Sequence, residues 1–341
     1  MKSRVETMAS LINDLQDPGL LPDSTEKVSV VQTHISMVFV ADEFVYKVKK
    51  PVNFGFLDFS TLEKRRYYCY QEVKLNRRLS RGLYIDVLPI TFDGKTYSMR
   101  GGDGQVVDYA VKMKRIPDKR LMKSLFERGK LTRGHIRRIA QVIARFHQNA
   151  LRSKEIDQFG EPEKFRVNTD ENFGQVSNYI GVTIQEKDFN ALKRWTNDFY
   201  EEKGHLFLKR IGEGRIRDCH GDLHMEHICI NEDLSIFDCI EFNDRFRYSD
   251  TIADIAFLLM DLEYHGGADF SRILWDNYKE LSAESGTESL LTFYKVYRAF
   301  VRGKVNSFQV DDDSIGPEEK NEAVERATHY FELATSYIQG S

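Results

Sequence analysis

Cysteine is scarce in this sequence and never occurs at a metal-binding spacing. The 341 residues contain four cysteines, Cys69, Cys219, Cys229 and Cys239. None of them forms the CxxC pair that brings two thiolates to one metal ion. We therefore expect four buried, reduced thiols and no site built on cysteine.

Long hydrophobic runs are missing as well. A membrane-spanning helix needs about 20 mostly apolar residues, and the strongly apolar run at 255–260 is far shorter. Charged residues, among them Arg4, Glu6, Asp14 and Asp17, interrupt the first 21 positions, which excludes the apolar core of a secretory signal. We expect a cytoplasmic protein with no membrane partner.

Neither sign of charge dominates the chain. The count of 49 Lys and Arg against 53 Asp and Glu gives a net charge of −4, which argues against wholesale binding to nucleic acid or an acidic membrane. Residues 100–145 do hold thirteen basic against four acidic side chains, a local charge of +9. RNA binding through this segment is one alternative, but such patches more often face nucleotides or solvent, so we expect no nucleic-acid partner.

The composition is that of a packed globular protein. Hydrophobic residues make up 41% of the chain and aromatic residues 12%, with 22 Gly and only 7 Pro, so disordered and collagen-like classes are excluded. A single hydrophobic core stops growing near this length. We therefore expect two lobes, each with its own core.

The hydrophobic periodicity changes along the chain in a defined order. Apolar spacing predicts a helix near 5–15, and short β-branched runs at 28–48 and 89–113 predict antiparallel strands. Between them, Ser60-Thr61-Leu62-Glu63 has the pattern of a capping box, with Ser60 as the cap of a helix that runs to about Leu79.

Beyond Pro117 the apolar residues recur at spacings of three and four, which predicts helices, with a hairpin inside 215–250 as the exception. We divide the chain into a helical extension at 1–23, an N-lobe of sheet and helix at 24–117 and a helical C-lobe at 118–341.

The densest group of reactive side chains is His220-Gly221-Asp222-Leu223-His224-Met225-Glu226-His227. One hypothesis is a transition-metal site on its three histidines, but Gly221 disfavours the helix that would align them and no HExxH is present. The other is phosphoryl transfer, in which Asp222 accepts the proton of the acceptor hydroxyl and Asp238, beyond the hairpin, holds Mg²⁺.

These residues carry a resemblance to a known family. His220-Gly221-Asp222-Leu223-His224 resembles the catalytic loop of the aminoglycoside phosphotransferase and choline kinase superfamily, and Ile236-Phe237-Asp238 resembles its metal-binding strand. Val45-Tyr46-Lys47-Val48 is similar to the strand whose lysine contacts nucleotide phosphates. Glu72 lies where the glutamate partner of that lysine is expected, and Asp254 is similar to the family's structural aspartate.

Two longer segments narrow the resemblance. Residues 54–63 and 237–244 resemble an uncharacterised bacterial branch of these kinases, some members of which carry an added P-loop kinase domain. No GxxxxGK[ST] occurs in this sequence, so we expect residues 1–341 to be the kinase-like unit without that domain.

The resemblance implies a fold and an activity. The fold would be α+β and bilobal, like that of protein kinases, with a small antiparallel-sheet N-lobe bearing one main helix and a larger, mostly helical C-lobe. The activity would be transfer of the γ-phosphoryl group of ATP, with Mg²⁺, to a hydroxyl of a small molecule. Neither the acceptor nor the oligomeric state follows from the residues.

The same resemblance implies the roles of the loop residues. Asp222 would be the proton acceptor and Asp238 the Mg²⁺ ligand, a role that Glu241 could share or take over. His220 would support the loop by hydrogen bonding. His224 would be either a packing residue or a substrate contact.

For the nucleotide, Lys47 is the expected phosphate contact and Glu72 its partner. Alternation places Lys49 on the same strand face and Lys50 on the other, and we interpret both as solvated surface residues. The backbone of Met113-Lys114-Arg115-Ile116, where the two lobes would join, is expected to bind adenine.

Two positions depart from the family pattern. His227 stands where an asparagine that binds the second metal ion is usual, which favours either a single ion or a softer metal such as Mn²⁺. In place of a Gly-rich loop the chain has residues 32–36, where Thr33, Ser36 and backbone amides would cover the phosphates. A nucleotide-binding module without turnover, a pseudokinase, is therefore the alternative function.

Three cations follow two tyrosines on a late helical segment. Arg298, Arg302 and Lys304 could face the substrate and favour an anionic acceptor. A solvated helix face is the more common explanation of such a pattern.

Overall fold

The computed structural model describes residues 4–312 and 315–340, and it divides into two compact units. The first unit comprises the chain up to Glu127 together with Glu226–Asp244, and the second comprises Arg128–Met225 and the chain from Arg245 onward. The segment that carries Asp238 therefore groups with the first unit, and the segment that carries Asp222 with the second.

The strands and helices are named in chain order. The strands are β1 Ser29–Gln32, β2 Ser36–Val40, β3 Phe44–Lys49, β4 Tyr84–Phe92, β5 Tyr97–Ser98, β6 Gln105–Lys114, β7 Ile216–Asp218, β8 Ile228–Cys229, β9 Ser235–Ile236 and β10 Tyr248–Asp250. The helices are α1 Arg4–Leu15, α2 Leu62–Asn76, α3 Met122–Glu127, α4 Arg133–Asn149, α5 Lys154–Asp157, α6 Pro162–Val176, α7 Glu186–Lys203, α8 His205–Gly212, α9 Asp244–Arg247, α10 Thr251–Tyr264, α11 Ala268–Ser282, α12 Glu288–Phe308 and α13 Pro317–Gln339.

The first unit is built on a six-stranded antiparallel sheet in the order β1-β2-β3-β6-β4-β5. Alternation along β2 and β3 turns Met37, Phe39, Tyr46 and Val48 to one face, where they join a core with residues of α1. Apolar residues of β4 and β6 pack with Cys69 and Val73 of α2 and form a separate core. The sheet therefore takes part in two hydrophobic cores, one with α1 and one with α2.

The start of α2 differs from the expectation. Ser60 is not the cap, because Thr61 is the residue with extended backbone whose hydroxyl accepts the Lys64 amide, at 3.3 Å. The Ser60 amide donates a hydrogen bond to the Asp58 carboxylate, at 2.9 Å. Both residues offer the hydroxyl that a cap needs, so the preceding turn, which depends on Asp58, decides between them.

The second unit packs helices around a large apolar core. Phe173 and Val176 of α6, Leu192 of α7 and Phe300 of α12 contribute to it, and Phe331 of α13 closes one side. Helix α10 is buried from Thr251 to Leu262, which matches its almost unbroken apolar sequence. Among the described residues no helix is both long and apolar enough to cross a membrane. All four cysteines are buried free thiols, as predicted.

A buried arginine joins three segments of this unit. Arg210 of α8 is 2% exposed and donates to both carboxylate oxygens of Asp250, at 2.7 and 2.8 Å. It also donates to Glu284, at 2.6 Å. A guanidinium can satisfy two carboxylates with its fork of N–H donors. Asp250 therefore has Arg210 as its cation, and Glu284 has Arg210 together with Arg215, whose Nη1 lies 3.4 Å from Glu284 Oε1.

We expect Arg210→Met to lower the free energy of unfolding by about 3–5 kcal/mol, because it leaves the buried Asp250 without its cation and Glu284 with only the partly exposed Arg215. Urea unfolding followed by circular dichroism measures this. The matched control is Lys209→Met, whose side chain is 54% exposed on the same helix. Equal stability changes in the two variants would contradict this role of Arg210.

Candidate functional site

A buried carboxylate lies between two lysines in the first unit. Glu72 of α2 has no exposed side-chain surface, and its Oε1 lies 3.0 Å from Lys47 Nζ while its Oε2 lies 2.6 Å from Lys49 Nζ. Residues two apart on a strand point to the same face, so β3 turns both lysines toward α2. The structure therefore brings Lys47 and Glu72 together as the sequence predicted.

The prediction for Lys49 is wrong. It was interpreted as a solvated surface residue, but its side chain is 1% exposed and also donates to Glu241. A buried ammonium is tolerated only when opposite charges surround it, and here Glu72 and Glu241 do so. Strand alternation indicates which way Lys49 points; it does not indicate which acids lie on that side.

The charges in this cluster support one another. Burial alone would raise the pKa of Glu72, but Lys47 and Lys49 outweigh it and hold that pKa below its usual range. Burial would likewise lower the pKa of Lys47, yet Asp238 and Glu72 raise it well above its ordinary value. For Glu241 burial prevails over Lys49, and its pKa is raised. Lys47 and Glu72 therefore remain an ion pair near neutral pH.

Asp238 provides the exposed end of the cluster. Its Oδ1 lies 2.7 Å from Lys47 Nζ and its Oδ2 lies 3.5 Å from His227 Nε2, and 39% of the side chain is exposed. Strand β9, which precedes it, ends at Ile236. Asp238 follows it with a φ of 60°, in the left-handed region that non-glycine residues rarely adopt.

Two side chains hold the backbone around Asp238 in place. The Tyr84 hydroxyl accepts the Asp238 amide at 3.2 Å, and Asn76 Oδ1 accepts the Cys239 amide at 2.9 Å. The sequence analysis missed both residues, since neither belongs to a motif and their partner lies more than 150 residues away. They maintain a backbone conformation that presents the Asp238 carboxylate.

The donor set around Asp238 suits a divalent cation. Mg²⁺ is typically held by one or two protein carboxylates together with phosphate oxygens, and Asp238 offers an exposed carboxylate. His227 adds an imidazole that softer ions such as Mn²⁺ accept more readily. Glu241, the other candidate ligand, directs its Oε1 to Lys49.

The predicted phosphate-covering segment is a tight turn between β1 and β2. The Thr33 hydroxyl accepts the amides of Ile35 and Ser36, at 3.3 and 3.0 Å, and is therefore used within the turn. The Ser36 hydroxyl is buried and makes no hydrogen bond with the described residues. The amides of Thr33, Ile35 and Ser36 are thus engaged within the turn, and the Ser36 hydroxyl is the group of this segment that we keep as a candidate phosphate contact.

The predicted adenine contacts lie at the end of β6 and just after it. Met113 and Lys114 are the last two residues of the strand, followed by Arg115 and Ile116. The Lys114 amide donates to the Leu83 carbonyl at 2.9 Å, and the Arg115 amide donates to the Glu43 carbonyl at 2.8 Å. Those two N–H groups are engaged within the first unit.

In the second unit a buried aspartate organises the loop that carries Asp222. Asp254 of α10 accepts the amides of His220 and Gly221, at 3.0 and 2.8 Å, and lies 3.1 Å from His147 Nε2. Gly221 has a φ of 87°, which favours glycine. Burial alone would raise the pKa of Asp254, but His147 and the His220 amide hold it well below its usual range.

Asp222 is the accessible member of this loop, with 34% of its side chain exposed. Its amide donates to His220 Nδ1 at 3.3 Å, the supporting contact expected of that histidine. His224 is buried, and its Nε2 lies 3.6 Å from Asp222 Oδ2. It also packs on Phe257, with ring centroids 5.5 Å apart. His224 therefore touches both Asp222 and the core.

Arg298 is a loop contact that the sequence analysis did not identify as such. It is 5% exposed and donates to the carbonyls of Gly221 and Ala253, at 3.0 and 3.1 Å. A solvated helix face is therefore wrong for this residue. Spacing on α12 shows that Arg298 and Arg302 share a face, and only the structure shows that the loop lies against it.

We expect Lys49→Met to lower the free energy of unfolding by about 3–5 kcal/mol. In the variant Glu241 has lost its lysine, and Glu72 keeps only Lys47, which also pairs with Asp238. Urea unfolding at pH 7 measures this. Lys74→Met, on the exposed side of α2, is the control. A change no larger than that of the control would show that Lys49 is not a structural cation.

We expect Asp254→Asn to lower stability by about 1–3 kcal/mol for each loop amide that loses its acceptor. Because the folded-state pKa lies below the ordinary 3.8, the carboxylate stabilises the fold above about pH 4 and loses this effect as the pH falls. The difference between wild type and variant should therefore shrink below pH 4 in urea titrations. A difference independent of pH, or one also seen in the exposed control Asp276→Asn, would contradict it.

Comparison with known proteins connects this geometry to a family. A model described as "Phosphotransferase enzyme family" matches residues 68–290. An uncharacterised protein of Mycobacterium tuberculosis strain H37Rv and one of Mycobacterium bovis are each 33% identical over 313 residues, which is 92% of this chain and 60% of theirs. The chain thus spans about 60% of the length of these curated relatives.

Solved structures show the same fold. A protein of Ralstonia eutropha assigned to the aminoglycoside phosphotransferases has a TM-score of 0.56 at 12% identity, over 96% of this chain and 98% of its own. An amicoumacin kinase solved with AMP-PNP and Ca²⁺ has a TM-score of 0.52 at 14% identity, over 96% and 92%. A choline/ethanolamine kinase family protein of Mesorhizobium loti has a TM-score of 0.50 at 14% identity, over 99% of both chains. The predicted α+β, protein-kinase-like fold is confirmed, as is the resemblance to the aminoglycoside phosphotransferase and choline kinase superfamily. This chain belongs to the phosphotransferase enzyme family.

Proposed function

We propose that this protein transfers the γ-phosphoryl group of ATP to a hydroxyl of a small molecule. The observation that carries the proposal is the contact series Glu72–Lys47–Asp238, in which a buried acid holds a lysine against an exposed acid. That arrangement offers a cation for phosphate oxygens next to a carboxylate for a metal ion. Family membership supports the same reaction type.

In this proposal Lys47 contacts the phosphates of ATP and Glu72 keeps it in position. Asp238, with His227 beside it, would hold Mg²⁺ or Mn²⁺. The metal ion would supply positive charge that neutralises the phosphate oxygens. Glu241 is assigned to Lys49, because its carboxylate is bonded there and is almost fully buried. Ser36 and residues 113–116 stay candidate contacts for the phosphates and the adenine.

Asp222 is the proposed proton acceptor. The acceptor hydroxyl oxygen would form a bond to the γ-phosphorus while the bond from that phosphorus to the β,γ-bridging oxygen breaks, so that ADP leaves and the hydroxyl proton passes to Asp222. Asp254, His220 and Arg298 act through the loop backbone and are positioning residues. Orientation of the hydroxyl and neutralisation of charge would supply most of the rate enhancement.

We expect the protein to release ADP from ATP in a Mg²⁺-dependent reaction with one or more members of a library of small hydroxyl compounds. Asp222→Asn should reduce this rate by about 10²–10⁴-fold, because a positioned general base is lost. Binding of a fluorescent ADP analogue should persist in the variant. A coupled ADP assay and fluorescence titration measure the two quantities.

Asp269→Asn is the control for this experiment, because Asp269 is in the same unit with 81% of its side chain exposed. Undiminished ADP release by Asp222→Asn would overturn the assignment of the proton acceptor. Nucleotide binding by the wild type without turnover of any library member would instead favour a binding module.

A further inference from the structure

The face of α12 that carries Arg298 lies against the loop with Asp222. Arg298 donates to the Gly221 carbonyl, one residue before Asp222, at 3.0 Å. Residues four apart on a helix are neighbours on one face, so Arg302 lies one turn along from this contact. All of these residues belong to the second unit.

Arg302 has few partners within the protein. Its Nε lies 3.4 Å from the Tyr330 hydroxyl, and its guanidinium lies 5.5 Å from the centre of that ring. Over residues 4–312 and 315–340 this is the only hydrogen bond of the Arg302 side chain, and no carboxylate oxygen lies within 4.0 Å of its guanidinium nitrogens. A guanidinium offers five N–H donors, so most of its donors are available to a ligand.

The surroundings keep this group charged. Burial alone would lower the pKa of Arg302, but Tyr330, Asp261 and Asp222 raise it above its ordinary value. Asp261 accepts the Met225 amide at 2.9 Å and so serves the loop. Arg302 is therefore a half-buried cation near two carboxylates, in direct contact with neither.

We propose that Arg302 binds an anionic group of the phosphoryl acceptor, so that the acceptor is a small hydroxy acid or hydroxy phosphate. The guanidinium fork matches the oxygens of a carboxylate or phosphate, and such bonds are strong because both partners are charged. A cationic acceptor would meet the charge of Arg302, which no carboxylate of the described residues pairs within 4.0 Å, and this repulsion disfavours it. This inference rests on the proposed function of Asp222.

A purely structural Arg302, stacked on Tyr330, is the competing explanation. It predicts that loss of the guanidinium impairs all acceptors equally. Recognition of an anion predicts a selective loss, so the ratio of kcat/KM between an anionic and a neutral acceptor of the same skeleton separates the two explanations.

The test uses glycerate and glycerol 3-phosphate as anionic probes, glycerol as the neutral probe and choline as the cationic probe. In the ADP assay the anionic probes should give the higher kcat/KM, and Arg302→Met should reduce the anionic-to-neutral ratio by about 10- to 100-fold. Arg302→Lys keeps the positive charge but lacks the forked guanidinium, so it should retain part of the anionic-to-neutral ratio that Arg302→Met loses. Arg194→Met, an exposed arginine of α7, should leave the ratio unchanged.

Binding is measured separately from turnover by the side-chain Nε–H signals of arginine in ¹H–¹⁵N spectra of the full chain. The signal that Arg302→Met removes should shift with glycerate or glycerol 3-phosphate and not with glycerol or choline. Such a shift without ADP release would refute the proposed function and leave the anion site standing. No shift with any anion, equal shifts with choline, or an unchanged ratio in Arg302→Met would overturn the proposal.

Discussion

The carboxylate of Glu72, shared by two lysines, is the interaction on which the first unit depends. A carboxylate with no exposed surface is costly unless cations compensate it, and Lys47 and Lys49 do so from one strand. Because Glu72 lies on α2, the contact joins helix to sheet. Lys49 then reaches Glu241, which follows β9, so a distant part of the chain is held to the same point. The ion pairs centred on Glu72 therefore connect α2, β3 and the segment that follows β9.

The cluster is unequal in charge and in exposure. Three carboxylates face two lysines, and Glu72 and Glu241 are almost fully buried while 39% of the Asp238 side chain is exposed. A ligand can therefore reach the cluster most easily at Asp238. Asp238 and Lys47 carry opposite charges, so the carboxylate would attract a metal ion and the ammonium would attract a phosphate. The buried Lys49–Glu72 pair joins α2 to the sheet, and the more exposed Lys47–Asp238 pair is the one that we assign to ATP and its metal ion.

Local signals in the sequence predicted much of the fold and the composition of the site. Strand alternation and helical spacing depend on neighbouring residues, so the sheet and the helices were predictable. The pairing of Lys47 with Glu72 was expected from the family resemblance. Long-range contacts were not. The burial of Lys49 depends on Glu241, which is 192 residues away, and the role of Arg298 depends on a loop 77 residues earlier. The left-handed backbone of Asp238 depends on contacts with Tyr84 and Asn76 in the same way. The choice of Thr61 over Ser60 as the cap depends instead on the local turn at Asp58.

The central claim is that Lys47 contacts the nucleotide phosphates and Asp238 the metal ion. A crystal structure of the full chain with AMP-PNP and Mn²⁺, with the ion located by its anomalous signal, tests this most directly. The account predicts an anomalous peak at the Asp238 carboxylate, phosphate oxygens at Lys47 Nζ and an intact contact between Glu72 and Lys49. Nucleotide and Mn²⁺ bound elsewhere, with Lys47 still paired to Asp238, would contradict it.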